Sequence, residues 1–389
     1  MAAFSERTRF EREPNALSRE LARLRADGAR VLDLTTSNPT RAGVPYAEDA
    51  IVSALGARRG LVYEPEPFGP LPARAAIARE WAERGFDVPA ESVLLTASTS
   101  EAYAYLFKVL CDPGDEVLVP APSYPLFEHL CRFEGVVPVA YPLVFDGAWH
   151  VDLEALAARR TARARAILCV SPNNPTGQLV QRDELRALAS LGLPLISDEV
   201  FGSYLLEPRR NAARSALELG ADAGLVFVLS GLSKLALLPQ MKIAWLGVTG
   251  PDAEVREARA RLELVADAFL STNAPAAAAL PELLALRGGS EAHVLARLGS
   301  NLAALHERLA GGAVSVLPVE GGWYAVLRLP RTRSEEAWVL GLLAERGVLV
   351  QPGYFFDFAE EAYAIVSLLT PEAEFAAGVE RLSEYAADG

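Results

Sequence analysis

The sequence predicts an α/β protein in which a large domain carries a three-layer, mainly parallel sheet and a smaller domain is α+β. Short apolar runs alternate with helical stretches along most of the chain, which is the pattern of a parallel sheet covered by helices on both faces. Nearer the carboxyl end the order changes to a long helical stretch followed by further short apolar runs. A length of 389 residues with 51% hydrophobic residues is enough for two cores.

The individual elements follow from these runs in chain order. Apolar runs rich in β-branched residues predict the strands of the large sheet at 93–95, 117–119, 167–170, 195–196, 225–229 and 243–248. Helical periodicity and good helix formers predict helices at 101–110, 153–160, 183–189, 252–268 and 274–279. Later strands are predicted at 314–317, 323–329 and 348–350. We therefore expect residues 1–44 to form an amino-terminal arm that joins the small domain, 45–275 the large domain and 276–389 the rest of the small domain.

Three of the predicted strands end in short polar segments. These segments are 171–177 (SPNNPTG), 197–201 (SDEVF) and 230–234 (SGLSK). In an open α/β sheet the carboxyl ends of the strands meet at one crevice, so we expect Asn174, Asp198 and Lys234 to lie together. Each residue taken alone is more typical of an ordinary turn or a solvated surface. Their joint occurrence, each after a predicted strand, indicates one functional site.

The chemistry of these three side chains fits the cofactor pyridoxal phosphate. This cofactor is an aldehyde that condenses with a lysine amine to form a Schiff base and then acts as an electron sink. Lys234 is the candidate amine. Asp198 can keep the ring nitrogen of the cofactor protonated, because a nearby opposite charge favours the charged form of both partners. Asn174 can donate a hydrogen bond to the phenolic oxygen.

With these motifs in place, the chain from about residue 32 to about residue 382 resembles the class I and II aminotransferases, which are fold-type I pyridoxal phosphate enzymes. The resemblance implies a transaminase that moves an amino group from an amino acid to a 2-oxo acid, with Lys234 as both anchor and base. Segment 34–39 (LTTSNP), which contains Ser37, looks like the family's substrate loop. Tyr63 looks like the tyrosine that reaches the cofactor phosphate of the neighbouring subunit, which implies a homodimer.

Two further parts of the cofactor site follow from the same resemblance. Segment 94–102 runs from a predicted strand into a predicted helix and puts Ser98, Thr99 and Ser100 at the helix amino terminus. Such a terminus binds phosphate through its free N–H groups and the helix dipole, although the segment alone is typical of an ordinary helix cap. Tyr124 is expected to stack on the pyridine ring; the alternative is a core tyrosine.

Three positions of the cofactor site depart from the family pattern. Phe201 replaces the usual tyrosine after the aspartate, so a hydroxyl donor to the phenolic oxygen is missing, and whether Tyr204 replaces it is open. Lys242 replaces the usual phosphate-binding arginine; it keeps the charge but loses the bidentate fork. Gly231 replaces a usual hydroxyl residue, and strand alternation would place Ser233 on the same side as a substitute.

A fourth departure concerns the substrate. Ile365 stands where the family carries the arginine that binds the substrate α-carboxylate. Either another cation takes that role, for which Arg41 is a candidate unless it is only a solvated loop residue, or the substrate is not a simple α-amino acid. We expect an aminotransferase for a small or neutral amino acid. The alternatives are another fold-type I reaction, such as that of a C–S lyase, decarboxylase or cyclase, and a non-catalytic ligand-binding module.

Composition argues against several other classes of protein. A net charge of −13 without any run of basic residues argues against a nucleic-acid-binding surface. The amino-terminal residues lack the apolar core of a signal peptide and no stretch approaches a membrane span, so we expect a cytoplasmic protein. Cys111, Cys131 and Cys169 are odd in number and widely spaced, which favours reduced thiols over disulfides. Cysteines and histidines show no ligand spacing, so we expect no protein-bound metal.

Overall fold

The computed structural model describes residues 4–10, 12–221 and 223–388, so part of the predicted arm lies outside the described residues. The strands in chain order are β1 (Leu32–Asp33), β2 (Val93–Thr96), β3 (Glu116–Ala121), β4 (Val137–Phe145), β5 (Trp149–Val151), β6 (Ala164–Val170), β7 (Leu195–Asp198), β8 (Val226–Gly231), β9 (Ala244–Thr249), β10 (Ser315–Val316), β11 (Tyr324–Arg328), β12 (Val348–Leu349), β13 (Gln351–Pro352) and β14 (Tyr363–Ser367). The helices are α1 (Ala16–Ala26), α2 (Glu48–Leu55), α3 (Leu71–Glu83), α4 (Thr99–Leu110), α5 (Phe127–Glu134), α6 (Leu153–Arg159), α7 (Arg182–Ser190), α8 (Leu232–Leu235), α9 (Asp252–Phe269), α10 (Ala274–Leu286), α11 (Gly288–Leu309), α12 (Glu335–Arg346) and α13 (Glu372–Ala387).

The large sheet has the strand order β2-β9-β8-β7-β6-β3-β4-β5. The strands from β8 to β4 in this order run parallel to one another, and antiparallel pairs occur at β2-β9, β9-β8 and β4-β5. Each strand predicted for this sheet overlaps an observed one. The mainly parallel sheet expected from the sequence is therefore confirmed.

Side chains alternate between the two faces of this sheet and build a separate core on each. In β8, Val226 and Val228 belong to one core, whereas Phe227 and Leu229 belong to the other. Helices α3, α6, α7 and α10 contribute to the first core, and α4, α5 and α9 contribute to the second. Helices on both faces give the three layers that the alternating pattern predicts.

Strands β4 and β5 lie outside the set predicted from the sequence. β4 contains Pro138 and Pro142, and proline weakens a strand assignment because it cannot donate to a ladder. The Val137 amide donates to the carbonyl of Asp115, just before β3, so alternation turns the nitrogens of the two prolines away from β3. Pairing with β5 begins at Leu143, so Pro138 has no strand beside its nitrogen. Pro142 lies where the pairing with β5 ends, and its carbonyl accepts from the Asp152 amide.

The carboxyl-terminal part of the chain adds a smaller antiparallel sheet in the order β10-β11-β14-β13. Helices α11 and α13 pack against each other, and α12 packs beside β13 and β14. β1 pairs with β12, which ties the amino-terminal segment to this part of the chain. The alanine-rich run forms α10, as predicted, and packs against α2 and α3. None of the described helices is long and apolar enough to cross a membrane.

Gly247, in β9, tests how tightly the first core is packed. A methyl group on Gly247 would lie 2.6 Å from the ring of Trp81, a fully buried residue. We expect Gly247→Ala to lower the free energy of unfolding by about 1–3 kcal/mol, because the indole must shift within a filled core. Chemical denaturation followed by circular dichroism measures the difference.

Gly299→Ala is the matched control for this substitution. Gly299 is exposed on α11, and no atom lies within 4 Å of the added methyl group. There we expect the free energy of unfolding to rise by about 0.5–1 kcal/mol, because alanine loses less backbone entropy than glycine in a helix. Equal stability of the two variants would contradict the predicted clash.

Candidate active site

The parallel pairing of β6, β7 and β8 places the carboxyl ends of these three strands, and the segments that follow them, at one edge of the large sheet. Val170, the last residue of β6, lies opposite Asp198, the last residue of β7. The Ser171 amide donates to the Asp198 carbonyl at 2.9 Å, so the loop that carries Asn174 starts beside Asp198. On the other side of β7, β8 leads directly into α8, which carries Lys234. The three residues predicted to share a site therefore come from adjoining segments.

Lys234 is one of three lysines in the chain, and the other two are placed differently. Lys108 forms an ion pair with a glutamate, and Lys242 is exposed. The amine of Lys234 lies over two aromatic rings, 4.5 Å from the centroid of Trp323 and 5.4 Å from that of Phe201. Of the three amines, this one is best placed to bind an aldehyde at the edge of the sheet.

Burial lowers the pKa of Lys234 to about 8, and the nearby Asp198 carboxylate acts in the opposite direction. An amine with this pKa is partly neutral near neutral pH, which a nucleophile or base requires. The Tyr204 hydroxyl group donates a hydrogen bond to the backbone carbonyl oxygen of Lys234 at 2.7 Å. Because that proton is used on the backbone, Tyr204 does not replace the hydroxyl donor that is missing at Phe201.

Gly231 ends β8 at a point where a side chain does not fit. A methyl group there would lie 2.9 Å from the Cβ atom of Ala244 on the paired strand β9. The expectation that strand alternation places Ser233 on the same side is wrong, because the chain turns into α8 directly after Gly231. Ser233 is partly buried next to Lys234, and any contact it makes with a cofactor depends on helical geometry.

Asp198 is buried and accepts one hydrogen bond at each oxygen. Tyr103 donates its hydroxyl to Oδ2 at 2.6 Å, and the Val200 amide donates to Oδ1 at 3.1 Å. Burial raises the pKa of Asp198, while the two donors and Lys234 oppose that rise. Sequence reasoning missed Tyr103, since its partner lies 95 positions away and the only local signal is a phenol at a core position of α4.

Two consecutive asparagines, Asn173 and Asn174, follow β6, and in the described part of the chain only the side chain of Asn173 is hydrogen-bonded at its oxygen. The Nδ2 atom of Asn173 donates to the carbonyl of Pro122, and its Oδ1 accepts from the Ser123 hydroxyl. The Oδ1 atom of Asn174 is buried and has no hydrogen-bond partner among the described residues. Asn173 thus holds the loop in place, whereas the carboxamide of Asn174 is left for a ligand, with Oδ1 able only to accept and Nδ2 able to donate.

The amino terminus of α4 lies at the same edge, since β2 leads into it. Ser98 caps the helix and accepts a hydrogen bond from the Glu101 amide at 3.2 Å, so the ordinary capping role considered for this segment is real. The amides of Thr99 and Ser100 donate to no residue in the part of the chain that the structure describes. Free amides at the start of a helix are an arrangement that binds phosphate.

Lys242 reaches this edge through the antiparallel pairing of β2 with β9. Thr96, which precedes the α4 terminus, lies opposite Ala244, which closely follows Lys242 in the chain. Lys242 is exposed, so its amine is free to approach an anion at this terminus. It can supply charge to a phosphate, although without the two parallel donors of an arginine.

Further aromatic side chains pack around Phe201 and Trp323, the two rings beside the Lys234 amine. The Phe201 ring lies 5.3 Å from Trp323 and 6.2 Å from Tyr324, measured between centroids. Tyr124 is partly buried after β3, and burial raises its pKa, with the Asp198 charge adding to the rise. Trp323 and Tyr324 are site residues that sequence reasoning missed, because they fall inside a predicted strand without any motif.

The residues expected to bind the substrate are only partly brought together. Ser37 neighbours Tyr324; burial raises the pKa of Tyr324 to about 12, and Ser37 acts in the opposite direction. Arg41 is exposed, and its side chain makes no hydrogen bond or ion pair within the described ranges. Ile365 is fully buried in β14 opposite Val326, so an apolar side chain fills the place expected to bind a carboxylate.

These groups fit pyridoxal phosphate part by part. The amine of Lys234 suits the aldehyde of that molecule, and the buried Asp198 carboxylate suits its ring nitrogen. The carboxamide of Asn174 suits the phenolic oxygen, and the free amides at the start of α4 suit the phosphate. Among the described residues, no group of three or more His, Cys, Asp or Glu is arranged to hold a metal ion.

Comparisons with known proteins agree with this geometry. The sequence model of the family described as aminotransferase class I and II matches residues 30–382. An alanine aminotransferase of Mycobacterium bovis is 29% identical over 94% of this chain and 87% of its own length. An S-alkyl-thiohydroximate lyase of Arabidopsis thaliana is 31% identical over 61% of this chain and 52% of its own length. A solved alanine aminotransferase from Pyrococcus furiosus matches with a TM-score of 0.87 and 25% identity over 96% of each chain.

The lowered pKa of Lys234 can be measured directly in the cofactor-free protein. Reductive methylation with ¹³C labels the three lysine amines for NMR, and the Lys234→Ala variant identifies the Lys234 resonance. We expect this resonance to titrate near pH 8. Asp198→Asn should lower the pKa further, because the carboxylate favours the charged amine. Titration near 10.5 would show that the amine is not desolvated.

Proposed function

The chain belongs to the class I and II aminotransferase family, and from this premise we propose that Lys234 anchors the cofactor and moves the substrate proton. Enzymes of this family depend on pyridoxal phosphate and transfer an amino group from an amino acid to a 2-oxo acid, and the fold is that of the fold-type I aminotransferases. The observation that carries the role of Lys234 is its amine, which is held among aromatic rings beside the buried Asp198.

Three residues are assigned to the ring of the cofactor. When bound, pyridoxal phosphate supplies a sink for the electrons released at the substrate α-carbon. Asp198 holds a proton at the ring nitrogen, since a carboxylate stabilises the charged form of its partner. Asn174 donates to the phenolic oxygen through Nδ2, which makes no hydrogen bond to the residues that the structure describes, whereas its buried Oδ1 can only accept. Tyr124 covers one face of the ring.

The phosphate is assigned to the α4 terminus. Thr99 and Ser100 supply free amides, Ser98 adds its hydroxyl group, and Lys242 adds a positive charge from the segment just before β9. Ser233, on the first turn of α8, is a further hydroxyl candidate. A lysine in place of an arginine holds the phosphate with one point charge, so the helix terminus carries more of its orientation.

Lys234 acts through one atom, Nζ. This atom would hold the aldehyde of the cofactor. Once a donor amine is bound, the free amine of Lys234 would be the base that accepts and returns the proton of the substrate α-carbon. Burial supports this role, because the pKa of about 8 leaves part of the amine neutral and able to accept a proton.

The donor that fits best is a small or neutral amino acid. The alanine aminotransferases that resemble this chain support that class. The α-carboxylate is assigned to Ser37, Asn174 and Arg41, since Ile365 provides no charge.

A second candidate is a C–S lyase with the same cofactor site. Ile365 removes the arginine expected for a simple amino acid, and the lyase of Arabidopsis thaliana resembles part of this chain. The two reactions differ in whether they need a second substrate. A transaminase needs a 2-oxo acid acceptor to turn over, whereas a lyase releases ammonia continuously from one substrate.

The proposed active unit is a homodimer in the cytoplasm. Tyr63 is 77% exposed, and its neighbours Leu61 and Val62 are 83% and 57% exposed. Such an apolar surface segment favours a partner subunit. Tyr63 is proposed to reach the phosphate in that partner. The free cysteines Cys111, Cys131 and Cys169 suit a reducing compartment.

Replacing Lys234 tests its role in the transfer. We expect Lys234→Ala to lower kcat by at least about a hundredfold, because it removes the base that moves the α-proton. Oxo acid formation from a panel of amino acids, measured with and without an acceptor, provides the rate. Lys108→Ala is the control, since Lys108 lies in an ion pair on α4.

The same assay decides between the two candidate reactions. One equivalent of oxo acid per site without acceptor, followed by turnover when acceptor is added, supports transamination. Continuous ammonia release without acceptor would favour the lyase. Equal activity of the Lys234→Ala and Lys108→Ala variants would overturn the assignment of Lys234.

Mixing inactive variants tests whether Tyr63 acts in the partner subunit. A hybrid of Lys234→Ala and Tyr63→Ala chains has one site with both lesions and one intact site, so random mixing should restore about one quarter of wild-type activity. Lys234→Ala mixed with Asp198→Ala is the control, because both lesions lie in each chain's own site and no intact site forms. No recovery in either mixture would contradict a role for Tyr63 across the interface.

A further inference from the structure

We propose that Tyr103 is a positioning residue that keeps the Asp198 carboxylate ionised and fixed in direction, so that the proton shared with the cofactor stays on the ring nitrogen. This inference rests on the proposed function, since it takes Asp198 as the partner of that nitrogen. It adds a residue of α4 that lies outside the motifs by which the family resemblance is recognised.

The contact is short and fully enclosed. The Tyr103 hydroxyl lies 2.6 Å from Asp198 Oδ2, and the two residues are 1% and 6% exposed. The Val200 amide binds the other oxygen at 3.1 Å. With one donor on each oxygen, the carboxylate cannot rotate without losing a hydrogen bond in a place that water does not reach.

The Tyr103 ring is itself held by packing. It stacks on Phe107 at 6.1 Å and meets the edge of Phe127 at 5.5 Å, and Phe127 in turn meets the edge of Tyr124 at 5.7 Å. The hydroxyl group is therefore presented by a ring that has little room to move. Since α4 also supplies the proposed phosphate site, one helix sets the position of both ends of the cofactor.

The chemical effect of this hydrogen bond has a definite sign. The proton between Asp198 and the ring nitrogen has two possible places: on the nitrogen, leaving a carboxylate, or on the carboxyl group, leaving a neutral ring. A hydroxyl donor binds a carboxylate more strongly than a carboxylic acid, so Tyr103 favours the charged ring. Burial of Asp198 acts in the opposite direction. Tyr103 therefore offsets part of the cost of burying the charge.

Several other groups face Asp198, and none of them duplicates this role. Lys234 acts on the carboxylate by charge, and it is assigned to the aldehyde end of the cofactor. Tyr124 and Cys169 also lie near, and the Asp198 charge raises the pKa of both; burial is the larger cause of each rise. Tyr103 is the side chain that donates a hydrogen bond to Asp198 within the described part of the chain.

The test compares Tyr103→Phe with Tyr141→Phe in the holoenzyme. Tyr141 is also 1% exposed and donates its hydroxyl to a backbone carbonyl, that of Leu168, at 2.8 Å. Both substitutions remove one buried hydroxyl and keep the ring. The ¹⁵N chemical shift of cofactor labelled at the ring nitrogen reports whether that nitrogen is protonated, independently of activity.

In Tyr103→Phe we expect the ¹⁵N shift to move towards that of a neutral pyridine and kcat to fall roughly ten- to a hundredfold with KM little changed. Tyr141→Phe should leave the ¹⁵N shift and kcat as in wild type. Wild-type values in Tyr103→Phe, or equal changes in both variants, would overturn the proposal.

A second variant and the wild-type spectrum keep the test decisive. If Tyr103→Phe does not fold, 4-aminophenylalanine at position 103 keeps the ring and offers a weaker N–H donor, and the ¹⁵N shift should then move part of the way towards the neutral value. An unchanged shift there would also overturn the proposal. Absence of any bound ¹⁵N signal in wild type, or full activity of Lys234→Ala, would instead count against the proposed function.

Discussion

Backbone hydrogen bonds between the parallel strands β6, β7 and β8 determine where the three central groups, Asn174, Asp198 and Lys234, lie. Their register pairs Val170 with Asp198, the last residues of β6 and β7, and pairs Asp198 with Leu229 of β8. The bonds from Ser171 to Asp198 and from Glu199 to Leu229 continue the pairing to the very end of β7. The backbone at this edge is therefore satisfied. Side chains that follow the strands remain free to bind a ligand, which is why this edge is the usual place for sites in such sheets.

Burial of the site is the second constraint, and it shifts the pKa values of Lys234 and Asp198 in opposite directions. It lowers the pKa of Lys234 to about 8 and raises that of Asp198, while the attraction between them opposes both shifts. The amine benefits from losing its charge, because a base must be neutral. The carboxylate must keep its charge, and it does so with donors from Tyr103 and Val200. In the same buried site, the amine therefore needs no hydrogen-bond donors, whereas the carboxylate needs them to stay charged.

The smaller sheet contributes the aromatic side of the site, and close backbone contact fixes its position. The amide of Gly321 donates to the Gly177 carbonyl at 3.0 Å, and a methyl group on Gly177 would lie 2.8 Å from the carbonyl oxygen of Gly321. The loop that carries Asn174 therefore packs directly against the turn before Trp323. A close contact also explains why no hydroxyl residue stands at Gly231, since a side chain there would meet Ala244.

The sequence by itself determined the parallel sheet and the placement of Asn174, Asp198 and Lys234, because strand patterns and the turns after them are local and parallel strands share one edge. Tertiary structure alone decided that Tyr103 binds Asp198 and that Tyr204 binds the Lys234 carbonyl. It also decided that Trp323 lies beside the Lys234 amine and that Tyr324 packs beside Phe201. Periodicity tells which face of a helix or strand a residue occupies. Which distant residue it meets there depends on the register and packing between segments far apart in the chain.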